Sequence, residues 1–317
     1  MGRRLRDRGE HGSIARLVRV LPTGRHTLIG AGDDAAAIRA PRRPLLLTTD
    51  TLVEGVHFRL GWERPTALGR RALRVSLSDV AAMGGTPLAA VVAVEAPPNL
   101  PVVILDGLMR GLATDARRHG VDVVGGNLAA APRLAITVTV AGEAGTRLAT
   151  RAAARAGDDV WVTGRLGAAA TAVRALLAGR RTRRPAVPVR LTASRLLLPH
   201  ARAMIDLSDG LVQDLGHVCR ASGVTAEVDA AAVPVAPACR RALGAAATPF
   251  AATAGEDYEL LVTASSRRRR QLERLRRRLG CRLTRIGRIV AGRPAVRLLD
   301  SAGRPLRLPR GGFDHFR

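Results

Sequence analysis

A chain of 317 residues that holds only two Trp, one Tyr and four Phe cannot build its interior from rings. Its core must be Ala, Val, Leu and Ile packed at high density rather than large rings. At this length two domains are the expectation, since one domain usually takes ~100–150 residues. Functions that depend on aromatic stacking platforms are poorly supplied.

Strand and helix signals alternate along the chain. Residues 45–49 and 88–94 are short apolar runs bounded by Pro, Asp or Gly, as strands are. Between them Thr66 is placed to cap a helix whose stripe is Leu68, Ala72, Val75, Val80 and Met83, stopped by Gly84 and Gly85. Residues 101–119 read as a second helix and 134–141 as a closing strand. A shift to Gly, Ala and Arg over 142–158 sets a boundary between domains at 1–142 and 143–317. In the second part, strands are expected at 160–163, 226–228, 259–263 and 285–290. Helices are expected up to 177, over 209–221 and over the very basic 266–279. The alternation predicts two α/β or α+β domains.

Every one of the fifty-one basic residues is arginine, and the formal net charge is +25. Without lysine a Walker A loop, a protein-kinase ATP site, a Schiff base and a pyridoxal-phosphate site are all excluded. If phosphate is handled, metals, arginine and backbone N–H groups must do it. Uniform arginine beside abundant Ala and Gly reads as a drift of the whole composition, so the charge is no signature of a specific nucleic-acid partner. The arginine runs at 180–184 and 267–278 read as solvated faces. Cysteines 219, 239 and 281 are too few and too scattered for a disulfide framework or a zinc site. No apolar run approaches the ~20 residues of a membrane span, and the N-terminus lacks an apolar signal core. The cytoplasm is the expected compartment.

Against this arginine background several carboxylates occupy arginine-free windows: Asp33 and Asp34; Asp50 and Glu54; Asp79; Asp206, Asp209 and Asp214; Glu256, Asp257 and Glu259. A carboxylate without a cation nearby is solvated, caps a helix or holds a metal, and several together favour metal; for Asp79 the plain alternative is a pair with a distant arginine. Asp79 shares a helical face with Ala72, Val75 and Met83, which aims a charge inward and suits a hard cation such as Mg²⁺. The segment Ile205-Asp206-Leu207-Ser208-Asp209-Gly210 opens a helix, with Ser208 in position to act as N-cap and two carboxylates around an anion-sized site. Gly30-Ala31-Gly32-Asp33-Asp34 and Gly125-Gly126-Asn127 are each compatible with plain turns.

Taken in order, these segments resemble the thiamine-monophosphate kinase family. The others that carry the resemblance are Thr48-Thr49-Asp50-Thr51-Leu52-Val53-Glu54-Gly55-Val56-His57-Phe58, Ser76-Leu77-Ser78-Asp79-Val80-Ala81-Ala82-Met83-Gly84, Gly255-Glu256-Asp257-Tyr258-Glu259-Leu260 and Phe313-Asp314-His315-Phe316. The resemblance implies the two-domain fold of the aminoimidazole-ribonucleotide-synthetase-like superfamily. Its N-terminal α/β domain joins sheets into a barrel across a homodimer, and its C-terminal domain is α+β. It implies transfer of the γ-phosphoryl group of ATP, with several Mg²⁺ ions, onto thiamine monophosphate. Asp34, Thr48, Thr49, Asp50, Asp79, Asn127, Asp206 and Asp209 then match metal ligands, Thr48 through its backbone carbonyl. Gly126, Arg151 and Ser208 match nucleotide contacts, and His57, Glu256 and Phe313 match the thiamine-phosphate pocket.

Three positions depart from the family pattern. Asn127 stands where the family has Asp, and a neutral amide coordinates only through its carbonyl oxygen. Ser76 replaces an Asn, and Leu105 an aromatic residue. The alternative left open is a nucleotide- or thiamine-phosphate-binding protein of the same fold without turnover.

Overall fold

The computed structural model describes residues 3–32 and 34–308, so Asp33 and the terminal Phe313-Asp314-His315-Phe316 motif lie outside the described residues. The chain divides into two compact units, one of Met1–Val80 and Thr86–Ala144, the other of Ala81–Gly85 and Gly145–Arg317.

The first unit runs α1 (Leu5–Arg8), α2 (Glu10–Val18), β1 (Thr27–Ile29), β2 (Ala37–Ile38), β3 (Leu45–Val53), α3 (Pro65–Ala82), β4 (Thr86–Ala96), α4 (Val102–His119), β5 (Asp122–Ala130) and β6 (Ala135–Glu143). Its main sheet has the order β3-β6-β4-β5, antiparallel except for the parallel β4/β5 pair. Leu68, Ala72, Val75 and Val80 of α3 are buried, as the sequence stripe requires, and so are Leu105, Leu108 and Leu112 of α4. These two helices meet backbone to backbone. A Cβ at Gly69 would collide with the carbonyl of Leu108, and one at Gly111 with the carbonyl of Thr66. Glycine is therefore the tool by which a core poor in rings closes its gaps.

Two local readings are corrected here. Helix α3 begins at Pro65, so Thr66 is inside its first turn and is not its cap; proline suits that position because a first-turn N–H has no helical partner. Gly125-Gly126-Asn127 is no turn but the middle of β5, paired with Val91, Val92 and Ala93 of β4. The glycine signal there has a packing cause, because a Cβ at Gly126 would collide with the Val92 carbonyl.

The second unit continues with β7 (Asp158–Thr163), α5 (Ala168–Leu177), α6 (Leu191–Leu197), β8 (Met204–Asp206), α7 (Leu211–Ser222), β9 (Thr225–Asp229), α8 (Pro237–Leu243), α9 (Ala247–Thr253), β10 (Leu260–Ser265), α10 (Arg269–Leu275), β11 (Leu283–Val290) and β12 (Ala295–Leu299). Its sheet has the order β12-β9-β11-β7-β10-β8, antiparallel except for β12/β9. The core is aliphatic, from Val160 and Val162 through Ile205, Leu215 and Val228 to Leu261 and Ile286. The basic stretch expected as one helix over 266–279 is shorter, a single 3₁₀ turn at Ser266–Arg268 followed by α10. Among the described residues no helix is long and apolar enough to cross a membrane.

Candidate functional site

Strand periodicity sorts the Thr48-Thr49-Asp50 segment of β3. Thr48, Asp50 and Leu52 are partly or fully buried, whereas Leu45, Leu47, Thr49 and Thr51 are exposed, as alternation across a sheet dictates. Asp79 of α3 meets the first of these faces: the Thr48 hydroxyl donates to its carboxylate. The side chain of Thr48 is thus engaged with Asp79. Thr49 points the other way and accepts a hydrogen bond from the Thr139 hydroxyl at 3.0 Å.

Asp50 is the electrostatic centre of this unit. Burial, and then the nearby charge of Asp79, push its carboxyl up to about 6, against a hydrogen bond from Ser76 that lowers it. Its Oδ2 is buried with no hydrogen-bond partner among the described residues. Ser76 also donates to the Val138 carbonyl at 3.0 Å, which fixes it between α3 and the sheet. Asp34 is exposed on the β1–β2 connection, and Asn127 and Gly126 are exposed on β5. His57 is half-buried after β3, with Nδ1 accepting the Val53 N–H at 3.0 Å, which leaves the proton on Nε2 in the neutral ring.

The second unit carries its own carboxylate group at the start of α7. Asp206 is buried at the end of β8. Ser208 does not cap the helix; the N-cap is Gly210, whose φ of 120° favours glycine. Instead the Asp214 carboxylate, one turn inside α7, accepts the N–H groups of Asp209 at 3.1 Å and Gly210 at 3.0 Å. Burial, with Asp209 and then Asp206 adding negative charge, pushes Asp214 up to about 8 despite those two donors. Asp209, Asp214 and His217 bring one ligand atom each within 4.8 Å of one another. Burial, with Arg220 and Arg151 nearby, lowers His217, so its ring is neutral and able to coordinate. Arg151 itself is exposed, and its carbonyl accepts the Ser222 hydroxyl at 2.8 Å.

Glu256 sits in the third carboxylate-bearing segment, and here the arginine-free window misleads. Arg184 reaches it from 72 residues away with Nη2 at 2.7 and 2.8 Å from its two oxygens. Arg190 grips Glu259 as a two-pronged fork, Nε and Nη2 donating to one oxygen each at 2.6 and 2.5 Å. Arg184 is therefore no part of a solvated face, since its side chain is fully buried. Sequence reasoning left out Asp214, His217, Arg184 and Arg190 as site residues. The spacing of Asp209, Asp214 and His217 across a helix start was the available signal for the first two.

Both carboxylate groups suit a hard divalent cation. They offer oxygen donors, their like charges raise one another's affinity for protons, and the buried Asp50 Oδ2 lacks a partner among the described residues. A bound cation reverses the local charge balance and favours the ionised carboxylates.

The family model for AIR synthase related proteins matches over residues 32–144 for its N-terminal domain and 155–298 for its C-terminal domain. The thiamine-monophosphate kinase of Mycobacterium tuberculosis (strain H37Rv) is 36% identical over 273 residues, 81% of each chain. The crystal structure of thiamine-monophosphate kinase from Stenotrophomonas maltophilia K279a superposes with a TM-score of 0.82 at 35% identity, covering 92% of this chain and 96% of that one. AaThiL complexed with AMPPCP and TMP superposes with a TM-score of 0.77 at 30% identity, covering 99% of both chains.

Proposed function

Because the chain belongs to the AIR synthase related family and, within it, to the thiamine-monophosphate kinases, we propose that it transfers the γ-phosphoryl group of ATP onto thiamine monophosphate, forming thiamine diphosphate. The observation that carries this reading is the end-to-end match to AaThiL complexed with AMPPCP and TMP. The paired carboxylates Asp50 and Asp79, in a chain without lysine, agree with it.

The acceptor in this reaction is itself a phosphate oxygen. A phosphate monoester loses its second proton near pH 6, so the nucleophile is already ionised and the protein needs no general base. The difficulty is repulsion between two anions and their alignment. When bound, Mg²⁺ ions would supply neutralisation of the phosphate charge. Asp34, Asp50, Asp79, Asp206 and Asp209, with Thr48, Thr49 and Asn127, are the residues we assign to hold them. Thr48 orients the Asp79 carboxylate and Ser76 orients Asp50, so their ligand atoms are aimed before any ion arrives. Gly126, Arg151 and Ser208 are assigned to the nucleotide. His57 and Glu256 are assigned to thiamine monophosphate, as is Phe313, which lies outside the described residues.

We assign a homodimer and a cytoplasmic location to the enzyme, with the N-terminal sheets joined across the dimer. Support comes from β3, an edge strand whose outward face exposes Leu45 and Leu47, the latter 68% accessible. An exposed apolar edge favours pairing with another chain.

Purified protein incubated with ATP, Mg²⁺ and thiamine monophosphate should form thiamine diphosphate and ADP in equal amounts, read by chromatography. Nucleotide binding without product would favour the non-catalytic binding protein that Asn127 brings into view.

A further inference from the structure

The segment that carries Glu256 is held in a backbone shape its residues do not choose by themselves. Glu256 has φ 68° and Tyr258 φ 50°, and they are the non-glycine residues with positive φ among those described. Such conformations persist where surrounding contacts over-determine them, and they gather at functional sites. The segment is laced to the loop that bears Asp206 and Asp209. The Glu256 N–H donates to the Ser208 carbonyl and the Tyr258 N–H to the Leu207 carbonyl, each at 2.7 Å, and the Leu207 N–H returns to the Glu259 carbonyl at 2.8 Å.

Three side-chain anchors secure it from behind. Asp257, buried, accepts the Gly167 N–H at 3.0 and 2.8 Å. Glu259 is forked by Arg190 and also accepts the Thr163 hydroxyl at 2.6 Å. Glu256 is held by Arg184. The last anchor differs from the other two in its exposure: the Arg184 side chain is 0% accessible, while that of Glu256 is 28% accessible. A guanidinium taken out of water needs a carboxylate partner with good geometry. Here that partner keeps one side open to solvent, so the cation stands behind a carboxylate that faces outward.

We propose that Arg184 is a positioning residue for the substrate, fixing the Glu256 carboxylate in one orientation so that its open side meets the amine-bearing, cationic thiamine moiety. The proposal rests on the assignment of Glu256 to the thiamine-phosphate pocket. Arg184 touches no reacting atom and acts through Glu256, so its loss weakens capture of one substrate only. Arginine is suited to the task because its rigid planar guanidinium holds Nη2 between the two Glu256 oxygens, whereas a lysine ammonium is a mobile point charge.

The test is steady-state kinetics of the full-length protein with ATP and thiamine monophosphate varied separately. The variants are Arg184→Met, Arg184→Lys, Glu256→Gln and the double Arg184→Met/Glu256→Gln. Arg184→Met should raise KM for thiamine monophosphate about tenfold or more, the worth of a hydrogen bond to a charged group, and leave KM for ATP within about twofold. Arg184→Lys should recover part of the loss, and the double variant should be no worse than Glu256→Gln alone. If Arg184→Met does not fold, Arg184→Lys decides: a selective rise in KM for thiamine monophosphate supports the proposal. No rise overturns it. Equal rises for both substrates, or additive losses in the double variant, also overturn it and leave Arg184 a structural residue. Those results would leave the assignment of Glu256 standing. An unchanged KM for thiamine monophosphate in Glu256→Gln removes that assignment and the proposal together.

Discussion

The carboxylates of the two units solve the same electrostatic problem differently. In the first unit Asp50 and Asp79 come from a strand and a helix; the Thr48 hydroxyl donates to Asp79 and the Ser76 hydroxyl to Asp50. One Asp50 oxygen is left buried and unpartnered. In the second unit Asp214 takes two backbone N–H groups from the residues just ahead of its own helix, so the fold itself answers most of its hydrogen-bonding demand. A buried acceptor without a donor costs more than one that is satisfied. The contrast separates a carboxylate that needs something from outside, Asp50 with its neighbour Asp79, from one that helps to build the loop, Asp214.

The comparison breaks most visibly if the two classes respond alike to substitution. Asp79→Ala should reduce kcat by about a thousandfold or more, the size expected when several kcal/mol of charge stabilisation are lost. Its melting temperature should stay close to that of the parent, because a like-charge pair is relieved. Asp214→Asn keeps an oxygen that can accept the Asp209 and Gly210 N–H groups, and should change kcat by less than about tenfold. Equal losses in the two variants, measured by product formation at saturating Mg²⁺, would show that Asp214 belongs with the metal ligands.

A smaller effect lies in the pH dependence of the metal-free protein. Asp50 and Asp214 hold protons more tightly in the folded chain than in the unfolded one, where aspartate titrates near 3.9. Their contribution is therefore fully present below about pH 4. It is lost as pH rises, for Asp50 through about 6 and for Asp214 through about 8. Each proton that the unfolded state lacks is worth about 1.4 kcal/mol per pH unit. Thermal melts in a chelator should show stability from these groups falling between pH 4 and 8. Asp50→Asn should flatten the decline between about pH 4 and 6, and Asp214→Asn should flatten it up to about pH 8. Added Mg²⁺ should stabilise more at pH 7.5 than at pH 5. Equal stabilisation at both would separate the ion from Asp50.

Much of this organisation was legible in the residues. The inward aim of Asp79 follows from helical period alone, because Ala72 and Val75 on the same face are buried in the first unit. The aliphatic core follows from the shortage of rings. What misled was every inference that treated nearness in sequence as nearness in space. Arg184 and Arg190 come from a stretch without regular structure and fold back onto Glu256 and Glu259. Gly126 sits in a run with the composition of a turn, yet its cause is the neighbouring strand at Val92. Ser208 has the right chemistry for a cap, but it is the carboxylate of Asp214 that accepts the N–H groups of Asp209 and Gly210.

The smallest expected effect sharpens the comparison within one strand. Asn127 is exposed on β5, opposite Ala93 in the parallel ladder, and its predecessor Gly126 is held to glycine by the Val92 carbonyl. Strand geometry thus fixes residue 126 and leaves residue 127 free to vary. Asn127→Asp should leave stability within about 0.5 kcal/mol, as exposed substitutions usually do. If Asn127 contributes a metal oxygen, the added charge should lower the Mg²⁺ concentration for half-maximal activity by about threefold to tenfold, since ligand charge tunes cation affinity. At saturating Mg²⁺ kcat should be unchanged. An identical Mg²⁺ dependence would remove Asn127 from the ligand set and leave the cation to the carboxylates, with Asp50 and its unpartnered oxygen the first of them.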